Sequence, residues 1–299
     1  MSYHNPVLLK ESVDALAIKE NGVYVDVTFG GGGHSREILK RLGKNGKLFA
    51  FDQDPDALAN EIDDERFVLI QENFRFIARF LRFYRIKKVD GILADLGVSS
   101  HQFDEAERGF STRFEGDLDM RMNQKSKISA KEVINNYSEE KLAEILFLYG
   151  ELRNSRKIAR TIVHERGIKK IETSFDLKEV LKEFLPKAKE HKILAQIFQA
   201  IRIEVNEELE VLKEFLQQVP NLLNDEGRLS VISYHSLEDR LVKRFIQTGL
   251  FQGEPEKDVF GNSNEPLMKV GKLIIPSKEE IKINNRARSA KLRIAALKK

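Results

Sequence analysis

A run of four glycines, residues 30–33, is the feature of this 299-residue sequence with the clearest chemical meaning. It follows the β-rich segment Gly22–Thr28 and precedes a helical pattern from Ser35 to Leu42. Glycines between a strand and a helix let the backbone approach a ligand closely, because no Cβ intervenes. Four in succession cost too much backbone entropy for an ordinary turn, so we interpret the run as a ligand site rather than a tight turn alone.

An acid just before the glycines narrows the choice of ligand. Asp26 would repel a pyrophosphate, but it would suit the cationic amino group of a donor such as S-adenosylmethionine. The alternative is a dinucleotide on the helix amino terminus, and with it a nicotinamide-dependent oxidoreductase. The spacing departs from the Gly-x-Gly-x-x-Gly pattern of that class, since Ser35 and Arg36 follow His34. Both observations favour the methyl donor.

The second strand candidate, Gly46–Asp52, ends in another acid. Asp52 lies about twenty residues after the glycine turn, where an acid accepts hydrogen bonds from the hydroxyls of a ribose. Asp54, directly before Pro55, is interpreted as a helix cap. Phe74 follows the third strand candidate and either stacks on an adenine or packs in the core.

The strand candidate Val89–Asp95 leads into a polar segment that ends at Gln102. Ligands of open α/β sheets bind beyond the carboxyl ends of the strands, so this segment is expected to face the same crevice as the glycine turn. Its polar groups would then lie between a methyl donor and an acceptor. The alternative role of an acid such as Asp95 at a strand end is to cap a loop.

The elements that must position these residues alternate between strand and helix in the first half of the chain. Four β-rich runs separated by helical patterns predict a parallel sheet covered on both faces. From 111 to 199 the pattern is helical, and a long helical stretch near 193–219 leads back to a strand at Gly227–Ser233. The segments Lys272–Ile275 and Ala290–Leu297 are expected to complete the sheet. The prediction is one α/β domain, residues 1–110 and 200–299, interrupted by a helical domain at 111–199.

Composition narrows the class of protein. With 41% hydrophobic and 32% charged residues, the sequence is typical of a globular protein. It contains no cysteine, which excludes disulfides and thiolate sites, and no metal-binding motif stands out. The sequence shows neither a signal peptide nor an apolar run of membrane-spanning length, which predicts a cytoplasmic protein with no membrane partner.

Positive charge is concentrated in two segments, although the net charge is only +3. Residues 75–88 and residues 286–299 each carry six Lys or Arg and no acid. In the first segment Phe76, Phe80 and Phe83 recur at helical spacing and are expected to face the core, with the arginines on a solvated face. The second segment is the better candidate for binding phosphates. Its candidate contacts are Arg286, Arg288, Lys291 and Arg293.

Longer motifs resemble those of the RsmH (MraW) methyltransferase family. They run in order from residue 4 to about residue 295, so the resemblance covers the whole chain. The matching runs are His4–Leu9, Asp26–His34, Asp95–Ser100, Glu107–Phe110, Leu118–Met122, Phe198–Ile203, Ser233–Arg240 and Arg286–Ser289. Two positions depart from the family pattern: Gly31, where a larger residue is common, and Asn285, where proline is common. Neither is a donor contact of the family.

The resemblance implies an enzyme that transfers a methyl group from S-adenosylmethionine to N4 of a cytidine in the decoding region of 16S ribosomal RNA. It implies a class I methyltransferase fold, Rossmann-like with a mostly parallel sheet and an inserted all-helical domain, which we expect to recognise RNA. The partner is free RNA or the small ribosomal subunit, and both a monomer and a homodimer stay open. The family's donor contacts correspond here to Gly32, Gly33, His34, Asp52, Phe74, Asp95 and Gln102.

The chemistry of that reaction suggests further roles. The N4 amine of cytosine is a weak nucleophile because its lone pair is delocalised into the ring, so it needs an in-line approach and a proton acceptor. We expect Asp95, or a backbone carbonyl beside it, to be the acceptor, assisted by Ser99 or Ser100. His235 is a candidate for holding the base once it leaves its stack, and a satisfied loop histidine is the alternative. A non-catalytic RNA-binding or assembly factor is the competing function.

Overall fold

The computed structural model describes residues 6–256 and 265–298, except for the side chain of Ser100. His4 and Asn5 of the first family motif, and Lys299 of the second basic segment, lie outside the described residues. The chain forms two compact units, Met1–Gly97 with Leu209–Lys299 and Val98–Glu208. The helical domain predicted at 111–199 lies within the second unit, which extends further at both ends.

The first unit is built on a seven-stranded sheet. Its strands are β1 (Val23–Asp26), β2 (Lys47–Phe51), β3 (Phe67–Ile70), β4 (Val89–Asp95), β5 (Leu223–Ser233), β6 (Leu267–Lys269) and β7 (Lys291–Leu297). The order is β3-β2-β1-β4-β5-β7-β6, with β1 to β5 parallel and β7 antiparallel to both of its neighbours. This mostly parallel sheet, whose strand order reverses between β1 and β4, confirms the predicted class I methyltransferase fold.

Strand burial explains why the sheet forms from these segments. The central strands are buried on both faces, and β1, β2 and β4 consist mainly of aliphatic and aromatic residues. Because β1, β2, β4 and β5 are parallel, their carboxyl ends meet at one edge of the sheet, which we call the carboxyl edge. The strands reach this edge at Asp26, Phe51, Asp95 and Ser233.

The α-helices of the described residues cover the sheet in the first unit and build the second unit. They are α1 (Leu9–Asp14), α2 (Gly33–Arg41), α3 (Ile77–Phe83), α4 (Ser100–Asp104), α5 (Ala130–Asn136), α6 (Glu139–Leu148), α7 (Ser155–Ile168), α8 (Ser174–Val180), α9 (Glu190–Asn206), α10 (Glu208–Leu222), α11 (Ser236–Thr248) and α12 (Lys278–Ile283). Within the second unit α5, α6, α7 and α9 share one apolar core that includes Ile145, Ile158 and Ile197. No helix of the described residues is long and apolar enough to cross a membrane.

Three predicted elements differ from the structure. The segment after Asp54 is a short 3-10 helix, Pro55–Asn60, capped by the Asp54 carboxylate as expected. The long helix expected near 193–219 is two helices, because Glu207 has a left-handed backbone with φ of 51° and ends α9. The prediction of a strand at Lys272–Ile275 is wrong, since this segment forms only a single isolated β-bridge, between Ile274 and Leu292.

Candidate active site

The glycine turn lies at the carboxyl edge between β1 and α2, and its glycines have different reasons to be there. Gly30 and Gly32 have φ angles of 50° and 73°, in the left-handed region that glycine adopts without strain. A Cβ on Gly33 would lie 2.1 Å from Cγ of Pro6, so that position needs glycine for close packing. A Cβ on Gly31 would meet nothing within 4 Å, so this position has room for a larger residue.

The amino terminus of α2 follows the turn directly. Its N-cap is Gly32, which has no side chain to cap the helix, and no acid occupies its first turn. The first amides of a helix have no partner within the helix and carry part of its positive dipole. This end of α2 is therefore suited to a carboxylate, such as that of a methionine group.

Asp26 lies beneath the turn with no accessible surface. Its Oδ2 accepts a hydrogen bond from the Ser35 hydroxyl at 2.7 Å, and its Oδ1 accepts one from the Thr28 amide at 3.1 Å. Burial raises the pKa of Asp26 above its ordinary value, although His34 and these hydrogen bonds oppose the rise. In this structure the carboxylate is enclosed and positions the turn, and its contact with a cationic amino group stays a prediction.

Asp52 links the end of β2 to the glycine turn. Its Oδ2 accepts a hydrogen bond from the Gly30 amide at 2.8 Å, and its Oδ1 accepts one from the Asp54 amide at 2.9 Å. Burial raises the pKa of Asp52 to about 6, since the charges of Asp54 and Asp26 add to the effect and the two amides only partly oppose it. Each oxygen has a further lone pair that can accept a hydrogen bond from a ribose hydroxyl.

Asp95, at the end of β4, is held from two sides. Its Oδ1 accepts a hydrogen bond from the Tyr234 hydroxyl at 2.7 Å, and its Oδ2 lies 3.8 Å from Nδ1 of His34. The amide of Asp95 also donates to Oγ1 of Thr28 at 2.6 Å. Its side chain is 23% exposed, so a ligand at the carboxyl edge can reach this carboxylate.

The surroundings of Asp95 make it a weaker acid than an ordinary aspartate. Burial raises its pKa to about 6; the charges of Asp26 and Glu238 add to the rise, while His34 and the Tyr234 hydrogen bond oppose it. Burial and the neighbouring Asp95 carboxylate also raise the pKa of Tyr234 well above its ordinary value, so its hydroxyl keeps its proton. At neutral pH Asp95 is therefore an ionised acceptor with one oxygen fixed by a neutral donor.

Two predicted donor contacts, His34 and Phe74, are anchored by the core of the first unit. The buried His34 ring has Nε2 at 3.2 Å from the carbonyl oxygen of Val7. A carbonyl only accepts hydrogen bonds, so Nε2 carries a proton and Nδ1 faces Asp95. Phe74 packs against Phe215 with ring centroids 5.3 Å apart and an interplanar angle of 78°, yet it keeps part of its surface exposed. Its ring is thus fixed by core packing and still accessible for stacking.

Three predicted residues lie in the second unit, at the start of α4. Ser99 caps this helix: its hydroxyl oxygen accepts a hydrogen bond from the Gln102 amide at 3.2 Å. The Gln102 side chain in turn accepts one from the Ser99 amide at 3.0 Å. This capping box fixes both side chains. Ser100 begins α4, and its side chain lies outside the described residues.

His235 follows β5 and caps α11. Its Nδ1 accepts a hydrogen bond from the Glu238 amide at 3.5 Å, and the buried Glu238 carboxylate accepts hydrogen bonds from the amides of Tyr234 and His235. His235 therefore has a structural role in the fold, which is the kind of role that the sequence offered as the alternative. Tyr234, which lies within the motif Ser233–Arg240, is a site residue that was not predicted from the sequence; its place directly after the strand end was the available signal.

The four basic residues predicted to bind phosphates differ in their surroundings. Lys291 and Arg293 both contact Asp239, with Lys291 Nζ at 3.2 Å from Oδ2 and Arg293 Nε at 2.7 Å from Oδ1. Much of their charge is thus balanced within the protein. Arg286 is half-buried, whereas Arg288 is exposed and forms no ion pair within the described part of the chain. The structure therefore leaves Arg288 as the more accessible cation.

The first basic segment does not place its phenylalanines as predicted. Phe80 packs near Phe51, but Phe83 is 77% exposed and Phe76 is 41% exposed, so the expectation that all three face the core is wrong. The reason is that Phe76 precedes α3 and Phe83 is its last residue, while the residues that α3 buries are Ile77 and Leu81. Arg75 pairs with Glu214 at 2.6 Å.

Comparison with known proteins identifies the family of this chain. The model of the MraW methylase family matches residues 1–298. This chain belongs to the MraW methylase family. It is 69% identical over 295 residues to the ribosomal RNA small subunit methyltransferase H of Christiangramia forsetii, covering 99% of this chain and 98% of that protein. The proteins of the same name from Flavobacterium johnsoniae and Bacteroides fragilis are 67% and 56% identical, each over 99% of this chain and 98% of the relative.

Membership of the MraW methylase family confirms the predicted family and the predicted enzyme class, a methyltransferase. It favours that class over the nicotinamide-dependent oxidoreductase and the non-catalytic assembly factor. The fold also explains why the motifs are separated in sequence. The glycine turn and the end of β4 lie in different motifs, and the structure brings them to the same edge of the sheet.

Proposed function

We propose that this chain transfers a methyl group from S-adenosylmethionine to N4 of a cytidine in the decoding region of 16S ribosomal RNA, in the cytoplasm. The observation that carries the proposal is the carboxyl edge itself. The glycine turn, the carboxylate of Asp52 and the partly exposed carboxylate of Asp95 follow β1, β2 and β4, three neighbouring strands. The names of the relatives, which are methyltransferases of small-subunit ribosomal RNA, supply the substrate.

The residues of the first unit fit each part of the methyl donor. The uncapped start of α2, at Gly32 and Gly33, suits the carboxylate of the methionine group. Asp52 can accept hydrogen bonds from the ribose hydroxyls, and the exposed part of Phe74 can stack on the adenine. The bound donor supplies an electrophilic methyl group on a positively charged sulfur. Asp95, a partly exposed carboxylate at the same edge of the sheet, is suited to stabilise that positive charge before transfer.

The acceptor amine must lose a proton as it gains the methyl group. The bond from N4 to the methyl carbon forms while the carbon–sulfur bond breaks, and one N4 proton then needs a base. Oδ1 of Asp95 is engaged by Tyr234, so Oδ2 is the oxygen that can accept this proton. With a pKa of about 6, Asp95 is ionised at neutral pH yet basic enough to take the proton, as general-base catalysis requires.

The second unit and the basic carboxyl-terminal segment are proposed to bind the RNA. Gln102, which is proposed to contact the donor, and Ser99 and Ser100, which are proposed to assist Asp95, lie at the start of α4, in the polar segment that continues from Asp95. Arg286, Arg288, Lys291 and Arg293 are proposed phosphate contacts, with Arg288 contributing most because it is exposed. The helical unit, residues 98–208, would then recognise the shape of the RNA around the target nucleotide.

The test is methyl transfer with two forms of the substrate. Purified protein and S-adenosylmethionine are incubated with free 16S RNA or with isolated small subunits from cells that lack this enzyme, and RNA fragments are mapped by mass. We expect one added methyl group on one decoding-region cytidine, with the Asp95→Ala variant as the inactive control. Donor binding by calorimetry without methylation of either substrate would contradict the proposal.

A further inference from the structure

We propose that a pocket on the β5–β7 side of the carboxyl edge receives the acceptor nucleotide, and that Arg288 binds its phosphate. The pocket has a volume of about 310 Å³ and lies in the first unit. It is lined by residues after β5, before and within α12, and before β7. The inference rests on the proposed function and adds to it where and how the RNA substrate is held.

The position of the pocket in the sheet is the first argument. The glycine turn and Asp52 follow β1 and β2, whereas the pocket lies beside the end of β5 and the start of β7. Asp95 ends β4, which lies between β1 and β5. The donor crevice and the pocket therefore occupy opposite sides of the proposed proton acceptor, as a transfer reaction between two bound molecules requires.

Tyr234 provides a direct connection between the pocket and Asp95. Its side chain lines the pocket, and its hydroxyl donates a hydrogen bond to Oδ1 of Asp95 at 2.7 Å. A group that extends from the pocket along Tyr234 approaches the same carboxylate that contacts His34 on the donor side. This is the path along which N4 of a bound cytosine would reach the methyl group.

The lining of the pocket matches the two parts of a nucleotide. Its lining includes the apolar residues Ile275, Pro276 and Ile281, against which the face of a base can pack. It also includes the exposed Ser289, whose hydroxyl can donate to or accept from the edge of a base. The volume lies at the lower end of the range for small-molecule sites, about 300–1,000 Å³, and suits one nucleotide rather than several.

Charge identifies the phosphate contact. Lys291 also lines the pocket, but its ammonium group lies 3.2 Å from Asp239, which Arg293 contacts as well. Arg288 is exposed and forms no ion pair within residues 6–256 and 265–298. An arginine can bind a phosphate through two parallel hydrogen bonds, so Arg288 is suited to distinguish a nucleotide from a nucleoside.

The experiment compares two inhibitors of methyl transfer, cytidine 5′-monophosphate and cytidine. In the wild type we expect the monophosphate to compete with RNA about tenfold better than the nucleoside, because only it reaches Arg288. Arg288→Gln should remove this difference, raise the KM for RNA about tenfold and lower the salt dependence of RNA binding by about one charge. Ile281→Ala should weaken both inhibitors severalfold.

Two controls keep the outcome interpretable. Lys47→Gln removes an exposed positive charge at the amino end of β2, on the opposite edge of the sheet, and should change none of these quantities. Calorimetry with S-adenosylmethionine shows whether each variant is folded, since the donor side is untouched. A wild type that methylates RNA but does not distinguish the two inhibitors, or an Arg288→Gln variant with unchanged KM and salt slope, would overturn the pocket assignment. A wild type that methylates no RNA would instead overturn the proposed function.

Discussion

The two sides of the carboxyl edge are built in different ways. On the donor side, Asp26 and Asp52 accept hydrogen bonds from amides and a hydroxyl of the glycine turn and its neighbours, all within one short stretch of chain. On the β5–β7 side, the pocket is assembled from two regions far apart in sequence, residues 234–236 and residues 275–291. The first side is a hydrogen-bonded network, and the second is a pocket lined in part by apolar residues.

This difference suggests a division of labour. A small donor of fixed shape is best bound by groups that are already oriented, because no reorganisation is then needed at the moment of reaction. A nucleotide that must leave an RNA structure needs a site that is open to the outside. Asp95 contacts both sides through His34 and Tyr234, so its removal should affect the reaction more than any change confined to one side.

The largest expected effect is therefore that of Asp95→Asn. This change keeps the size of the side chain but removes the proton acceptor, and positioned general bases contribute about 10²–10⁴-fold to turnover. We expect kcat to fall by that factor while the Kd for S-adenosylmethionine, measured by calorimetry, changes by less than about tenfold. Normal turnover with donor binding retained would remove Asp95 from the mechanism and leave a backbone carbonyl as the acceptor.

The glycine turn provides a matched pair of variants for the donor side. Gly33→Ala places a methyl group against the ring of Pro6 and should lower the free energy of unfolding by about 1–3 kcal/mol, as overpacking does. Gly31→Ala meets open space and has no need of a left-handed backbone, so it should be neutral or stabilising by about 0.4–1 kcal/mol. Denaturant unfolding measures both. Equal losses in the two variants would show that the turn tolerates no side chain at all.

The features that could be predicted from the sequence are those that depend on residues close together in the chain. Strand β4 begins and ends where its apolar run predicted, because a doubly buried strand needs a continuous apolar segment. The capping role of Asp54 and the position of Asp52 follow from local spacing, and the structure places both residues after the end of β2. These features depend on residues close together in the chain, so their signals are present in a single sequence.

Features that depend on contacts between distant segments of the chain could not be predicted from the sequence. The hydrogen bond from Tyr234 to Asp95 joins residues 139 positions apart, and no local pattern indicates it. The enclosure of Asp26 and the pairing of Lys291 and Arg293 with Asp239 likewise require the folded sheet. The strand predicted at Lys272–Ile275 had a suitable composition, but β6 occupies the edge of the sheet beside β7 instead.

The pairing of Asp239 gives a test of how the β5–β7 side is stabilised. Burial raises the pKa of Asp239, but hydrogen bonds from Arg293 and Lys291 outweigh this and hold the pKa below its ordinary value. The lowered pKa means that the pair stabilises the fold above about pH 4 and that this contribution is lost as the pH falls through the lowered pKa. Asp239→Asn should therefore lower the free energy of unfolding by about 1–2 kcal/mol at pH 7, less than for a fully buried pair.

The control is to measure how the difference in free energy of unfolding between the wild type and Asp239→Asn depends on pH. Below about pH 4 the wild type also loses the interaction, so the two unfolding curves should converge. A difference that stays constant down to pH 3 would mean that Asp239 acts through packing rather than through charge. Donor binding should be unchanged in Asp239→Asn, because none of the groups on the glycine turn contacts this residue in the described structure.

The smallest expected effect concerns Tyr234, the residue that joins the two sides. The proposed base, Asp95, must be ionised to accept a proton and has a pKa of about 6, so kcat is expected to fall about tenfold for each pH unit below that value. The Tyr234 hydroxyl lowers this pKa by donating to Oδ1, so Tyr234→Phe should raise it and move the acid limb upward by about 0.5–1 pH unit. At pH 8 the variant should then lose little activity, whereas at pH 6 it should lose several-fold. A uniform loss at every pH, with no movement of the limb, would show that the ring packs the pocket but that its hydroxyl does not tune Asp95.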